Sequence, residues 1–326
     1  MLMKKLILSV IGIIIFVYFF LLLKFDVNLL FTSKSPELIV LALAIFLLSI
    51  CIIGIRMRFF LKALGEKHNY FSELLKIEFI NKFVYYVFPT RLNVPVKALI
   101  LNKKLGVKKS TTLSITTFEY ALDTGFMFVL GLVALSFVFQ NMFDAVTLNN
   151  LFLTVGLLFV LIILFFLVPL KIFNKTLSFF SKIKNNFLKK VLVFAAKIFV
   201  SIREIWPKLL FNKQTIPAII ILAINWILIS LTTELLFISY YTYVPFLWVL
   251  TISVVAVLIG GISQIPGGIG LKEVTLVGLF VFLGVPADVS LVVALLLRLF
   301  TLVPIAIGYI FVAKLGADIS LKDLVK

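Results

Sequence analysis

Long apolar runs, separated by short polar or basic stretches, set the pattern of this chain. A helix crossing hydrocarbon needs about 20 mainly apolar residues, and six segments supply them: 6–23, 37–55, 112–139, 150–170, 216–240 and 289–313. None shows the alternation over about ten residues that a membrane barrel strand requires. Because every backbone group must find an internal partner in lipid, the expected fold is an all-α polytopic membrane protein with about six spanning helices.

Two further apolar stretches, 71–104 and 245–284, are interrupted, and both read as re-entrant helical hairpins. The first breaks at Phe88, Pro89, Thr90, Arg91, Leu92, Asn93, Val94 and Pro95, where two prolines remove backbone donors. Basic clusters flank it on both sides, so it enters and leaves on one face of the membrane. The second breaks between Gly260 and Gly270, where five glycines and Pro266 stop a helix.

The interrupted stretches are also alike. Pro89 precedes Leu105, Gly106 and Val107 by sixteen residues, and Pro266 precedes Leu283, Gly284 and Val285 by seventeen. Each tripeptide leads into a long apolar run. Lys103, Lys104, Lys108 and Lys109 surround the first, whereas Asp288 follows the second, so the two sit on opposite sides. This predicts an inverted-topology repeat within a single transmembrane domain, 1–326, with 1–140 as one half and 150–313 as the other. Such repeats place a site near the midplane, where the broken segments meet.

Composition agrees with a lipid solvent: 63% of the 326 residues are hydrophobic and the mean hydropathy is +1.22. The net charge of +17 would suggest nucleic acid in a soluble protein. Here all but four of the 31 Lys and Arg (Lys24, Lys34, Lys272 and Arg298) cluster in 1–5, 56–110, 171–213 and 314–326, as cytoplasmic segments do. A multi-pass protein of the cell (plasma or inner) membrane with both termini cytoplasmic is therefore expected, and no nucleic-acid partner. Residues 1–25 read as an uncleaved signal anchor. With Cys51 and His68 the only residues of their kinds, no intrachain disulfide, metal cluster, Ser/His triad or cofactor is expected, and no catalytic residue is assigned.

Ionisable groups inside a span are functional candidates by default. Glu119 and Asp123 lie four apart on one helical face. Arg298 stands at nearly the matching place in the second half, which predicts a Glu119–Arg298 ion pair across the pseudo-twofold axis. Glu234 falls in the fifth span, and Lys272 and Glu273 open the helix after the glycine turn. That turn, with Gly267, Gly268 and Gly270, presents backbone N–H groups either for a lipid phosphate or simply for close helix packing. Arg91, Lys97 and Lys272 are the cations to accompany a phosphate. The basic, phenylalanine-rich stretch 171–213 reads either as an interfacial helix on anionic lipid or as a loop that only sets orientation.

Pro266, Gly267, Gly268, Ile269, Gly270, Leu271, Lys272 and Glu273, followed by Leu283, Gly284, Val285, Pro286 and Arg298, resemble the motifs of the lysylphosphatidylglycerol synthase transmembrane region. The first half resembles it through Arg56 to Phe60, Pro89 to Lys97, Leu105 to Val107, Glu119 and Asp123. Asn93 departs from it, standing where glycine is expected. The resemblance implies a stand-alone, flippase-like protein without the soluble aminoacyl-transfer domain of full-length synthases. Three functions follow as expectations. A lipid transporter would move an anionic phospholipid or glycolipid between leaflets. A non-catalytic module would anchor a separately encoded transferase. An enzyme that modifies lipid headgroups lacks any supporting motif.

Overall fold

A computed structural model describes residues 28, 33–66, 70–88, 92–138, 153, 203–263 and 265–315. Their regular structure is helical throughout. Pro36, its ring suited to a first helical turn, opens α1 (Pro36–Ala63). Then come α2 (Phe71–Val87), α3 (Asn93–Leu105) and α4 (Lys109–Val138). After a short helical segment at 203–210, the second half holds α5 (Thr215–Ser239), α6 (Phe246–Ile262), α7 (Leu271–Phe282) and α8 (Ala287–Leu315). The expected span 6–23, all of 150–170 except residue 153, and most of 171–213 lie outside the described residues.

Three helices, Pro36–Ala63, Thr215–Ser239 and Ala287–Lys314, are long and apolar enough to cross a membrane. What surrounds them is written in their exposure. Val40, Ile216 and Leu302 are more than half exposed, while Arg56, Glu78, Lys97, Glu119 and Glu273 are each at most 5% exposed. A water-soluble protein distributes these types the other way.

Both interrupted stretches form two helices joined at a break. α2 ends at Val87 and α3 starts at Asn93; α6 ends at Ile262, a 3-10 turn covers Pro266–Gly268, and α7 starts at Leu271. At 1.5 Å per residue, α2 is about 25 Å long and α7 about 18 Å, short of a hydrocarbon core of about 30 Å. Gly106, at φ 69°, supplies the left-handed residue that ends α3.

Packing partners exchange with the halves. α1 lies along α5, with Lys34 N–H donating to the Ser239 carbonyl at one end and Asn212 Nδ2 to the Ala63 carbonyl at the other. The first arm of each hairpin packs on the long helix that ends the opposite half, α2 on α8 and α6 on α4. The second arms, α3 and α7, pack on the long helices that follow them. One apolar core gathers Met57, Phe60, Leu101 and Phe118 in the first half; another surrounds Phe237 and Phe280, whose rings meet edge-on at 4.6 Å.

One boundary differs in a way that matters. The second expected span stops at 55, yet α1 continues to Ala63. Arg56 therefore sits inside the helix bundle, 2% exposed, rather than in a cytoplasmic flank. Lys97 is likewise buried, so neither serves the topology signal that counting basic residues in 56–110 gave them.

Candidate functional site

Four helices of the first half converge on one buried ion cluster. Arg56 on α1 donates from Nη2 to Glu119 Oε1 at 2.6 Å and to Asp123 Oδ2 at 3.0 Å, and from Nη1 to Asp123 Oδ1. Lys97 on α3 bridges Glu119 Oε2 at 2.6 Å and Glu78 of α2. The four-residue spacing of Glu119 and Asp123 puts both carboxylates on one face of α4, as their helical periodicity requires. Three carboxylates meet two cations, so hydrogen-bonded pairing offsets much of the cost of burying them. A cavity of about 90 Å³ opens among these groups, with Asn81, Lys82 and Tyr120 also on its wall. Asn93, at the start of α3, donates to Asn81, which in turn reaches Glu78.

The second half holds a smaller cluster. Arg298 on α8 lies 2.5 Å from Glu273 Oε1 on α7 and donates from Nη2 to the Gly267 carbonyl at 3.0 Å. Glu273 also accepts the Gly270 N–H at 2.9 Å. One of the donors that sequence reasoning offered to a phosphate, the Gly270 N–H, is thus taken by the protein's own carboxylate. Gly267 and Gly268 are buried at φ 57° and 66°, and close approach explains them. A Cβ on Gly267 would meet the Tyr86 ring at 2.3 Å, and one on Gly268 would meet the Gly260 backbone at 2.9 Å.

The expected Glu119–Arg298 pair does not form. Glu119 and Arg298 each find a partner within their own half, because the second arm of each hairpin lies directly against the following long helix and brings an opposite charge to it. Lys97 meets Glu119 in the first half; Glu273 meets Arg298 in the second, with the signs exchanged.

What links the clusters is α2. Glu78, Lys82 and Tyr86 recur every fourth residue, placing them on one face. Glu78 belongs to the first cluster, and Tyr86 touches the glycine turn beneath Arg298, whose guanidinium stands 6.0 Å from the ring centre. Lys82 lies between. Neither Lys82 nor Lys272 forms an ion pair among the described residues. An apolar groove of about 370 Å³ runs beside Arg298 and Tyr86, walled by Ile269, Leu295, Leu302 and Ile305.

Of the residues singled out from sequence, Lys97, Glu119 and Asp123 join in the first cluster, and Gly267, Gly270, Glu273 and Arg298 meet in the second. Gly268 packs beside that turn, and Lys272 lines a small cavity with Glu273, Arg298 and Thr301. Glu234 stands apart on α5, with no ion pair among the described residues. Arg91 lies outside them. Arg56, Glu78, Lys82 and Tyr86 were missed as site residues; the four-residue spacing along α2 was the signal that could have found three of them. No group of three or more His, Cys, Asp or Glu side chains arranged to hold a metal ion occurs among the described residues.

Comparison with known proteins places this architecture. A UPF0104 membrane protein of Methanothermobacter thermautotrophicus is 34% identical over 110 residues, a stretch covering 33% of this chain and 31% of that protein. The chain thus matches about a third of the length of that relative. The sequence pattern described as lysylphosphatidylglycerol synthase TM region matches residues 6–308. With nearly its whole length matched, this chain belongs to the lysylphosphatidylglycerol synthase TM region family.

Proposed function

We propose that this protein moves a phospholipid or glycolipid between the leaflets of the cell membrane, without catalysing a chemical change. The observation that carries the proposal is a polar track in an apolar body. Two buried ion clusters, one per half, are joined by the Glu78, Lys82 and Tyr86 face of α2, and an apolar groove opens beside the second. A charged headgroup costs several kcal/mol or more to carry through hydrocarbon. Fixed charges and dipoles along a protein path lower that cost, while acyl chains remain in an apolar groove.

Alternating access gives the exchange of packing partners a use. With α2 held against α8 and α6 against α4, two inverted halves can rock about their shared surface and expose the same site to either side. The broken helices form the moving face in this reading, with the hairpins entering the membrane from opposite sides.

Leaflet exchange of labelled lipids in proteoliposomes is the test. Exchange that depends on the protein and is lost on Glu119→Gln supports transport. No exchange across anionic, zwitterionic and sugar-headed lipids would sink it and shift weight to a membrane anchor for a separate transferase.

A further inference from the structure

Away from the polar track, a cavity of about 300 Å³ opens at one end of the helix bundle. Three chain segments meet there: the start of α2, with Glu73 and Lys76, the last turn of α3, with Lys104, and the last turn of α8, with Lys314. α2 packs on both of the other helices, and the rings of Phe79 on α2 and Phe311 on α8 have centres 6.3 Å apart. Lys104 and Lys314 are exposed, whereas Ile77, Ile80 and Ile100 on the same wall are each at most 3% exposed. The cavity thus has a cationic rim over an apolar floor.

Lys76 is answered by Glu73, 2.6 Å away on its own helix. Lys104 and Lys314 form no ion pair among the described residues. Two ammonium groups therefore border a cavity whose one carboxylate is already engaged. Topology accounts for lysines at a helix end, but it gives no reason for lysines of three helices to surround one apolar hollow. The volume lies within the range of small-molecule sites. A phosphodiester suits the lining: its two unbridged oxygens share one negative charge, so each ammonium group can donate to one of them. The glycerol and first methylenes of a phospholipid would then cover the isoleucine floor. One turn before Lys314, Ile310 is half exposed on α8, which gives an acyl chain apolar surface to follow away from the rim.

We propose that Lys104 and Lys314, with Lys76 beside them, bind a phosphate group in this cavity, that of a membrane phospholipid or of a soluble phosphate. The apolar floor favours the lipid. Held there, the phosphate joins α3 of the first half to α8 of the second and staples the halves at one end of the bundle. A brake on rocking between the halves follows from the transport reading and rests on it; the binding site does not.

Binding can be measured in detergent by native mass spectrometry, using phosphatidylglycerol, a diacylglycerol glycoside without phosphate, and inorganic phosphate. Lys104→Gln and Lys314→Gln should each weaken phosphatidylglycerol about fivefold, and together about 25-fold, the worth of a lysine at a membrane surface, and leave the glycoside unchanged. Lys104→Arg with Lys314→Arg, which keeps both charges, should retain binding and controls for folding. Lys108→Gln removes an exposed charge that does not line the cavity and should change nothing. Phosphatidylglycerol should also raise the unfolding temperature of the unaltered protein more than that of the double Gln variant. Retention of inorganic phosphate, lost in the Gln variants, without retention of phosphatidylglycerol would keep the site and assign it to soluble phosphate. Unchanged affinity for both in the double Gln variant would overturn the site, as would equal loss of the glycoside or an equal effect of Lys108→Gln. Lysine-dependent binding without any leaflet exchange would leave the site standing and sink transport alone.

Discussion

Arg298 lies 2.5 Å from Glu273 in the preceding short helix, as Glu119 lies 2.6 Å from Lys97 in its own. The two pairs occupy matching positions with opposite polarity. Each pins the second arm of a hairpin to the long helix that follows. Their burial makes a lone partner expensive, because removing one member strands a charge at a cost of about 3–5 kcal/mol. Glu273→Arg and Arg298→Glu should each lower the thermal unfolding temperature in detergent, and the double swap should recover much of the loss. Combining Glu119→Arg with Arg298→Glu should give no such recovery; recovery there would mean the halves share charges after all.

How much of this was legible in the sequence follows from range. Helices α1, α4, α5 and α8 and the breaks in both hairpins came from local patterning, since apolar length, prolines and glycines act over a few residues. Pairing did not. Glu119 and Arg298 were matched by their offsets from Gly106 and Gly284, which is symmetry without distance; the real partners came from hairpin arms whose tilt no local signal encodes. Arg56 was lost because a basic residue at the end of an apolar run looks the same whether the helix stops there or continues to Ala63. Lys82 sat in an arm of the first re-entrant hairpin and was not singled out, though its spacing from Glu78 and Tyr86 was readable.

Arg56 is the most connected group of the first cluster, reaching both oxygens of Asp123 and one of Glu119. A planar fork is needed for that geometry, so Arg56→Lys should fail to restore what Arg56→Met loses. Either change leaves carboxylates short of partners in the interior. Arg56→Met should cost about 3–5 kcal/mol, measured as earlier unfolding in detergent, and Asp123→Asn in the same chain should return part of it by removing a stranded charge.

Gly308 sets the contact between α8 and α2. A Cβ there would fall 2.2 Å from the Phe79 carbonyl oxygen and 2.7 Å from the Phe83 Cβ. Backbone lies opposite, so the helices would have to part. Small residues at such crossings let membrane helices approach closely, and Gly308→Ala should destabilise by about 1–3 kcal/mol. Gly278→Ala is the control, because nothing lies within 4 Å of its added carbon. Equal unfolding temperatures for the two variants would refute the close-contact account.

Gly267 combines two demands that a double-mutant cycle can separate. Its φ of 57° strains any residue with a side chain, at a cost of roughly 1–2 kcal/mol. Independently, an added Cβ would lie 2.3 Å from the Tyr86 ring and 3.4 Å from Arg298 Nη1. Gly267→Ala should therefore lower stability through both effects and push Tyr86 off the turn. Removing the ring in Tyr86→Ala abolishes the clash but leaves the backbone strain untouched. The double variant should thus be more stable than the two single losses added together, with a coupling of about 1–3 kcal/mol. Strict additivity in detergent unfolding would place the whole cost in the backbone, and the ring contact that joins α2 to the glycine turn would carry no weight.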